Sequence, residues 1–203
     1  MPRWEHGSED RLKKAAMELF HEQGFENTSV VEIAARAGVT TRTFFRYFSD
    51  KREVLFAGSD QLRARLVEKI LQAPDVVDPL RVVTDVLAAF DWDSFGSRNA
   101  QRQRWAVIAA NPELLERDLI KQHSIALGFI DALRERGVRA DVAKLAARVG
   151  SQVFFTAYGL WLEAEDKADL TTISEGVMSL LATIVAASTT PPSSRQKRGR
   201  VTA

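Results

Sequence analysis

The sequence predicts an all-α protein, with an N-terminal three-helix helix-turn-helix domain followed by a C-terminal helical bundle and about nine helices in total. Apolar residues recur at helical spacing almost throughout the 203 residues, and no convincing alternation with a period of two appears. Capping patterns and Gly or Pro stops divide this chain into segments of helical length. The first three segments are short, and the later ones are longer.

The first three predicted helices lie close together in the sequence. The first spans residues 8–23 and ends at Gly24. Its apolar stripe consists of Leu12, Ala15, Ala16, Leu19 and Phe20. The second begins after Ser29, which has Glu32 three residues later as in a capping box, and it ends at Gly38. The third is capped by Thr40 and runs to Phe48. Two short helices joined by a tight turn containing glycine are typical of a helix-turn-helix.

The fourth helix is predicted to open at Asp50 and to continue to about Gln72, which makes it long enough to be shared by two domains. About 22 residues would span roughly 33 Å. We therefore expect a helix-turn-helix domain at 1–54, a second helical domain at 55–189 and a disordered basic tail at 190–203. Further helices are predicted over 78–91, 99–110, 112–136, 141–165 and 170–188, with loops at 91–97 and 137–140.

Composition and charge exclude several classes of protein. The absence of cysteine excludes disulfides and thiolate metal sites. The net charge is +1, but the tail from Ser193 carries four basic residues and no acid, so the rest of the chain is slightly acidic. Such a body permits a small, local basic surface but not a general nucleic-acid coat. We find no run of about 18 apolar residues and no signal-peptide core, so we expect a cytoplasmic protein with no membrane contact. We expect the basic tail to be inert, and the alternative is that it adds non-specific, salt-dependent affinity for DNA.

The third helix has the residue types that read DNA. Phe44 and Phe48 are four residues apart and are expected to anchor the helix in the core. Arg42 and Arg46 have the same spacing, so both can point into one major groove, where arginine reads guanine bidentately. The flanking residues Thr40, Tyr47 and Lys51 could bind phosphates. No acidic residue occurs between Ile33 and Ser49.

The run Gly24-Phe25-Glu-Asn-Thr28-Ser29-Val30-Val-Glu32-Ile33-Ala34-Ala-Arg-Ala37-Gly38-Val39-Thr40-Thr-Arg-Thr43-Phe44-Phe45-Arg46-Tyr47-Phe48-Ser-Asp-Lys51 closely resembles the DNA-binding domain of the TetR family. The resemblance covers about 50 residues. It implies an all-α homodimer that binds double-stranded DNA at a near-palindromic operator, with recognition helices roughly 34–36 Å apart. The DNA-contacting residues that it implies are Thr28, Val30, Thr40, Thr41, Arg42, Thr43, Phe45, Arg46, Tyr47 and Lys51.

The C-terminal part resembles an actinobacterial-type subgroup of the same family, in the stretches Gln103-Arg104-Trp105, Asn111-Pro112-Glu113-Leu114 and Tyr158-Gly159-Leu160-Trp161-Leu162. Some members of that subgroup respond to acyl-CoA or related lipophilic effectors, so the resemblance implies a small lipophilic effector. The pocket candidates are the aromatic residues Trp105, Phe129, Phe154, Phe155 and Tyr158. In the family the last two helices form the dimer interface, for which the candidates here are Val153, Trp161, Val177, Leu181 and Ile184.

The sequence therefore predicts a transcriptional regulator, a repressor released from its operator by a small, largely apolar effector. Two other classes remain open: a DNA-binding module without an effector, and a helical acyl-ligand binder or enzyme with an incidental three-helix start. No His/Asp/Glu cluster has metal-site spacing, and no motif positions a catalytic serine. We therefore expect neither enzymatic activity nor a cofactor.

Overall fold

The computed structural model describes residues 7–165 and 168–189, and within these ranges it contains nine α-helices, two 3-10 turns and no strand. The helices are α1 Ser8–Gln23, α2 Val30–Arg36, α3 Thr41–Tyr47, α4 Ser59–Gln72, α5 Pro79–Ala88, α6 Arg98–Ala109, α7 Pro112–Glu135, α8 Ala140–Glu163 and α9 Leu170–Thr189. The predicted fold class is confirmed. The predicted disordered tail, residues 190–203, lies outside the described residues.

The predicted fourth helix, residues 50–72, is wrong over residues 50–58. A 3-10 turn at Glu53–Phe56 precedes α4, which begins only at Ser59. Asp50 does act as a cap, because its Oδ1 accepts hydrogen bonds from the backbone N–H groups of Arg52 at 2.8 Å and Glu53 at 3.1 Å. The helix is interrupted at Gly58, whose φ of 81° is left-handed. α4 therefore has 14 residues and spans about 21 Å.

The turn between α2 and α3 is fixed by backbone hydrogen bonds. Gly38 has a φ of 68°, and its N–H donates to the carbonyl of Ala35 while the N–H of Val39 donates to Ala34 at 2.9 Å. This pairing is the Schellman arrangement, which satisfies carbonyls at the end of a helix. Thr40 then caps α3, because its hydroxyl oxygen accepts from the N–H of Thr43 at 3.1 Å. The turn sets the angle at which α3 leaves α2.

The buried residues form two apolar clusters. The N-terminal cluster joins α1, α2 and α3 to the 3-10 turn at Glu53–Phe56, and it includes Ile108 from α6 and Leu114 from α7. The C-terminal cluster forms where α8 packs against α5, α7 and α9, and where α4 packs against α7. Trp105 is half-buried against both clusters. The two parts of the chain therefore share packing through α6 and the start of α7.

Ion pairs reinforce the junction between the two parts. The Nη1 of Arg52 lies 2.8 Å from the Oε2 of Glu113, at the start of α7. Arg117, one turn further along α7, pairs with Glu53. Both pairs are partly exposed, and such pairs contribute little to stability on their own. They join the segment after α3 directly to α7.

Helix α9 is more apolar and more exposed than expected. The stretch Leu170–Ser188 has a mean hydropathy of 1.6 with 11% of its residues buried, so its length and composition alone are sufficient to cross a membrane. The sequence analysis found no unbroken run of about 18 apolar residues, and this stretch is not such a run. Small Ser, Thr, Ala and Gly residues interrupt its larger apolar residues, and Glu175 is the one charged residue in this segment. Such a composition is also expected of a helix that packs against another protein surface.

Candidate nucleic-acid interface and ligand cavity

As the sequence predicted, α3 has one side buried in the core and the opposite side exposed. Phe44 is fully buried, Phe48 is 5% exposed, and their ring centroids lie 5.5 Å apart. Phe45 is 58% exposed. Thr41, Arg42 and Arg46 are also exposed, as is the capping residue Thr40, whereas Thr43 and Tyr47 are half-buried. This exposed face thus carries hydroxyls, two guanidinium groups and one aromatic ring.

Arg46 is ordered by its neighbour. Its Nη2 donates a hydrogen bond to the phenolic oxygen of Tyr47 at 3.1 Å, and its guanidinium carbon lies 4.9 Å from the centroid of the Tyr47 ring. Arg42 makes no hydrogen bond or ion pair within the described residues, so its guanidinium group is available to bind a ligand. A planar guanidinium suits bidentate contacts with phosphate or guanine.

Another arginine of the helix-turn-helix pairs with acidic residues of α1 and is therefore not available to bind DNA. Arg36, at the end of α2, donates to both carboxylate oxygens of Glu22 on α1, at 2.9 and 2.8 Å. The same hydrogen bonds lower the pKa of Glu22 and raise that of Arg36. At the other end of α2, both halves of the capping box between Ser29 and Glu32 are present, and they lower the pKa of Glu32. The Arg36–Glu22 pair fixes α2 on α1, and the capping box stabilises the start of α2.

Two residues that the family resemblance assigned to DNA have other partners, and we correct their roles. Thr28 is 2% exposed, and its hydroxyl donates to the carbonyl of Gly24 at 2.8 Å. The ammonium group of Lys51 donates to the carbonyls of Phe25, Glu26 and Thr28 at 2.7, 3.2 and 3.0 Å. These three acceptors use all three N–H donors of a lysine. Val30 is half-buried and packs against the N-terminal cluster.

A cavity of about 470 Å³ lies at the junction of the two parts. Its walls come from α1, the 3-10 turn at Glu53–Phe56, the start of α4, the 3-10 turn at Trp92–Phe95, α6 and α8. Its lining includes Phe56, Trp92, Phe95, Gln101, Arg104 and Tyr158. This volume lies within the range of small-molecule sites.

Of the five predicted pocket residues, the structure brings only Tyr158 to this cavity. Phe129 and Phe154 are fully buried and are part of the C-terminal cluster, and Trp105 and Phe155 pack against it. We correct these four residues to packing roles, because an aromatic residue on an amphipathic helix fills a core as readily as it lines a pocket. Sequence analysis missed Trp92, which it placed in a loop, and Gln101 and Arg104. The spacing of Gln101, Arg104 and Ile108 on one face of α6 was a usable signal.

Polar groups of the cavity wall are linked by hydrogen bonds. Tyr158 donates its hydroxyl proton to the Oε1 of Gln101, whose amide nitrogen donates to the carbonyls of Trp92 at 2.9 Å and Gly96 at 2.8 Å. Burial raises the pKa of Tyr158 to about 12, so the phenol stays protonated near neutral pH. This network holds the 3-10 turn at Trp92–Phe95 against α6 and α8.

Arg104 is the charged group of the cavity. Its Nε donates to the carbonyl of Leu55 at 2.6 Å, and its Nη2 lies 3.9 Å from a carboxylate oxygen of Asp118 on α7. Burial lowers the pKa of Arg104 and raises that of Asp118. The Arg104 side chain keeps 37% of its surface accessible even though it lies deep in the protein, because it lines the cavity. No cluster of metal-ligating side chains occurs within residues 7–165 and 168–189.

The predicted dimer residues divide into two groups. Val153 and Trp161 are buried within the protomer, at 6% and 8% exposure, and we correct them to core residues. Trp161 lies under the guanidinium of Arg98 and donates its indole N–H to the carbonyl of Ala168. Val177 and Leu181 are half-buried, and Ile184 is 55% exposed. The other exposed apolar residues of α8 and α9 are Val142, Leu145, Leu160, Leu180 and Val185.

Residues 12–57 match the family model described as bacterial regulatory proteins, tetR family. The chain is 34% identical over 80 residues to the HTH-type transcriptional regulator TcmR of Streptomyces glaucescens, an alignment that covers 39% of this chain. The aligned part spans only 35% of that relative's length. The similarity to TcmR therefore centres on part of each protein.

Two further similarities extend into the C-terminal part. The chain is 25% identical over 179 residues to the fatty acid metabolism regulator protein of Bacillus subtilis, an alignment that covers 82% of this chain and 90% of that protein. The crystal structure of Thermus thermophilus FadR, a TetR-family transcriptional repressor in complex with lauroyl-CoA, superposes with a TM-score of 0.54 at 25% identity. It covers 86% of this chain and 93% of that one. The likeness of fold thus includes both parts of the chain.

Proposed function

Because the chain belongs to the TetR family of bacterial regulatory proteins, we propose that it is a dimeric transcriptional repressor that reads a near-palindromic operator and is released by a small effector. The exposed face of α3 is the observation that carries this proposal. It presents Thr41, Arg42, Phe45 and Arg46 on a helix that is anchored from behind by two buried phenylalanines. We place the protein in the cytoplasm, where such a regulator meets its DNA.

Each exposed residue of α3 has a proposed task on DNA. Arg42 and Arg46 would read guanine in the major groove, and Phe45 would contact a thymine methyl group. Thr40, Thr41, Thr43 and Tyr47 would bind phosphates and fix the register of the helix. We leave Thr28 and Lys51 out of this set because their polar groups are satisfied within the domain. The DNA-binding domain is proposed as residues 1–54 and the effector and dimerisation domain as residues 55–189.

Dimerisation is proposed through the exposed apolar faces of α8 and α9. A two-fold dimer would place two recognition helices on one side of the duplex, about one turn apart. Residues Leu160, Leu180, Ile184 and Val185 supply the apolar surface for this contact, each between 49% and 58% exposed. A second copy of the chain would therefore cover α9, which the protomer leaves mostly open.

The effector is proposed to be small and lipophilic. A fatty acid metabolism regulator and a repressor in complex with lauroyl-CoA are among the similar proteins, and acyl-CoA compounds are therefore one class to test. An effector acts only through different affinities for the two states of the dimer, with a coupling of typically about 1–3 kcal/mol. The junction described above gives a physical route for that coupling, since α6 and α7 contact the helix-turn-helix.

The experiment is selection of bound duplexes from fragmented genomic DNA at about 150 mM salt, because affinity for DNA depends on salt. Wild-type protein should enrich a shared near-palindromic site. Arg42→Ala and Arg46→Ala should each lose about 1–3 kcal/mol of operator binding and relax the sequence preference at the base they read. Arg65→Ala, an exposed arginine on α4, is the matched control and should bind as wild type. Enrichment without a common site, or unchanged by the α3 variants, contradicts the proposal.

A further inference from the structure

We infer that the junction cavity binds a compact aromatic carboxylic acid whose carboxylate pairs with Arg104. This inference rests on the proposed function, because it names a chemical class for the effector. It goes beyond that function in assigning the site, the charged residue that selects the ligand and the contact through which binding reaches the helix-turn-helix.

The first argument is the unused hydrogen-bonding capacity of Arg104. A guanidinium group has five N–H donors, and in this structure one of them, at Nε, donates to the carbonyl of Leu55. The closest carboxylate oxygen belongs to Asp118 and lies 3.9 Å away, which is too far for a hydrogen bond. Arg104 lines the cavity, and its positively charged terminal nitrogens have no hydrogen-bond acceptor among the described residues. A ligand carboxylate provides two acceptors in the matching planar geometry.

The charged groups near Arg104 favour a ligand with a single negative charge. Asp118 is the counter-charge, but burial raises its pKa, it does not line the cavity, and its Oδ2 already accepts a hydrogen bond from Gln122 at 2.6 Å. Lys13 and Asp10 lie at the cavity wall on α1, and Lys13 is already paired with Glu9 at 2.6 Å. A second ligand carboxylate placed near Asp10 would meet a like charge, so we infer a single carboxylate, at Arg104.

The shape of the cavity argues for a flat ligand body. Phe56, Trp92, Phe95 and Tyr158 line it, and the ring centroids of Trp92 and Tyr158 lie 5.3 Å apart. Aromatic faces and edges favour stacked or edge-on contacts with another ring. A volume of about 470 Å³ suits a molecule of one or two fused rings. The hydroxyl of Tyr158 already donates to Gln101 and so does not compete with Arg104 for the carboxylate.

The contact between Arg104 and Leu55 connects the cavity to the DNA-binding domain. Leu55 is 4% exposed in the N-terminal cluster, within the turn that follows α3. A carboxylate that draws the guanidinium into the cavity weakens the hydrogen bond to the Leu55 carbonyl and loosens this turn. Ligand binding would thereby change the position of α3 relative to the bundle. The turn at Glu53–Phe56 would then be the element with two arrangements through which an effector acts.

The test uses 2-naphthoate and its uncharged amide, 2-naphthamide, as matched probes in calorimetric titrations of the full chain. Wild-type protein should bind the acid at least about tenfold more tightly than the amide, since a hydrogen-bonded charge pair contributes that much. Arg104→Gln should remove this preference and leave affinity for the amide within about twofold. Dodecanoate and lauroyl-CoA are titrated in parallel, to separate an aromatic acid site from a fatty acyl site.

Two further variants make the test independent of any folding defect in Arg104→Gln. Asp118→Asn removes the competing carboxylate and should raise affinity for the acid several-fold without changing affinity for the amide. Arg65→Ala, which removes an exposed arginine of α4 outside the cavity lining, should keep the acid preference. Equal binding of acid and amide by wild type, or an acid preference that survives in Arg104→Gln, overturns the inference.

The outcomes also separate this inference from the proposed function. If 2-naphthoate fails to bind at millimolar concentration, or if only dodecanoate or lauroyl-CoA binds, the aromatic acid class is wrong. The genomic DNA selection can still return a near-palindromic site in that case, and the proposed regulator then stands with another effector. If no common site is found, the proposed function fails whatever the titrations show.

Discussion

The ammonium group of Lys51 lies 2.7 Å from the carbonyl oxygen of Phe25 and 4.3 Å from the centroid of the same residue's ring. This contact fastens the segment just after α3 to the loop between α1 and α2. The same ammonium group also donates hydrogen bonds to the carbonyls of Glu26 and Thr28. A basic residue just after α3 thus has a structural role here, because it satisfies carbonyls that no helix or strand pairs.

Replacing Lys51 by methionine should lower the free energy of unfolding by about 1–3 kcal/mol, because charge-assisted hydrogen bonds are lost and partly buried carbonyls remain. The measurement is urea denaturation followed by circular dichroism. Lys14→Met is the control, since Lys14 is 80% exposed and its one ion pair, to Glu18, is 3.9 Å long. If Lys51 were instead a phosphate contact, stability would be unchanged and the salt slope of DNA binding would fall by about 0.9.

Leu180→Asp combined with Ile184→Asp should convert the protein to a monomer at micromolar concentration. These side chains are 58% and 55% exposed on α9, and a carboxylate at each would be desolvated in an apolar interface. Sedimentation equilibrium measures the mass directly. Val77→Asp, at a site 92% exposed between α4 and α5, should leave the dimer intact. A double variant with the mass of a dimer would place the interface elsewhere.

Gly58→Ala should destabilise the protein by about 1–2 kcal/mol. The glycine has a φ of 81°, where an L-residue with a Cβ is strained, although a Cβ there would meet Phe95 only at 3.6 Å. The cost therefore comes from the backbone and not from a clash. Gly58→Asn should cost less, because asparagine tolerates the left-handed region better than alanine. Thermal unfolding of both variants tests the order, and equal losses would point to packing instead.

Asp118 gives a pH dependence with a defined sign. Burial raises the pKa of Asp118 in the folded state, so the folded protein keeps this proton to higher pH than the unfolded chain does. Its contribution to stability is therefore largest below the unfolded pKa of about 4 and falls as pH rises through the raised value. Compared with Asp118→Asn, wild type should be relatively more stable at pH 4 than at pH 7. Urea denaturation across this range measures the difference, and the opposite trend would mean that attraction to Arg104 outweighs burial.

Local signals in the sequence predicted the helix-turn-helix well. The apolar stripe of α1, the capping box at Ser29 and the cap at Thr40 depend on residues at most a few positions apart, and each is present in the structure. The burial of Phe44 and Phe48 follows from the same helical period. The exposed positions of α3 follow in turn, because a face opposite a buried stripe must point outward.

Long-range contacts account for the predictions that were wrong. Lys51 and Arg104 satisfy carbonyls that lie 26 and 49 positions away in the sequence, and a carbonyl has no residue identity that a pattern could reveal. The five aromatic pocket candidates share one chemistry, but only packing decided that Tyr158 faces the cavity while Phe154 fills the core. The same holds for Trp161, which Arg98 covers within the protomer.

The sequence by itself determined most helical segments, their caps and the exposed face of α3, because these depend on periodicity and on hydrogen bonds between near neighbours in the chain. Only the tertiary structure decided where α4 begins, which residues line the junction cavity and which apolar surface of α8 and α9 stays open. The physical reason is that burial of a side chain and the partners of a charged group depend on which helices meet. The chain brings those helices together only when it folds.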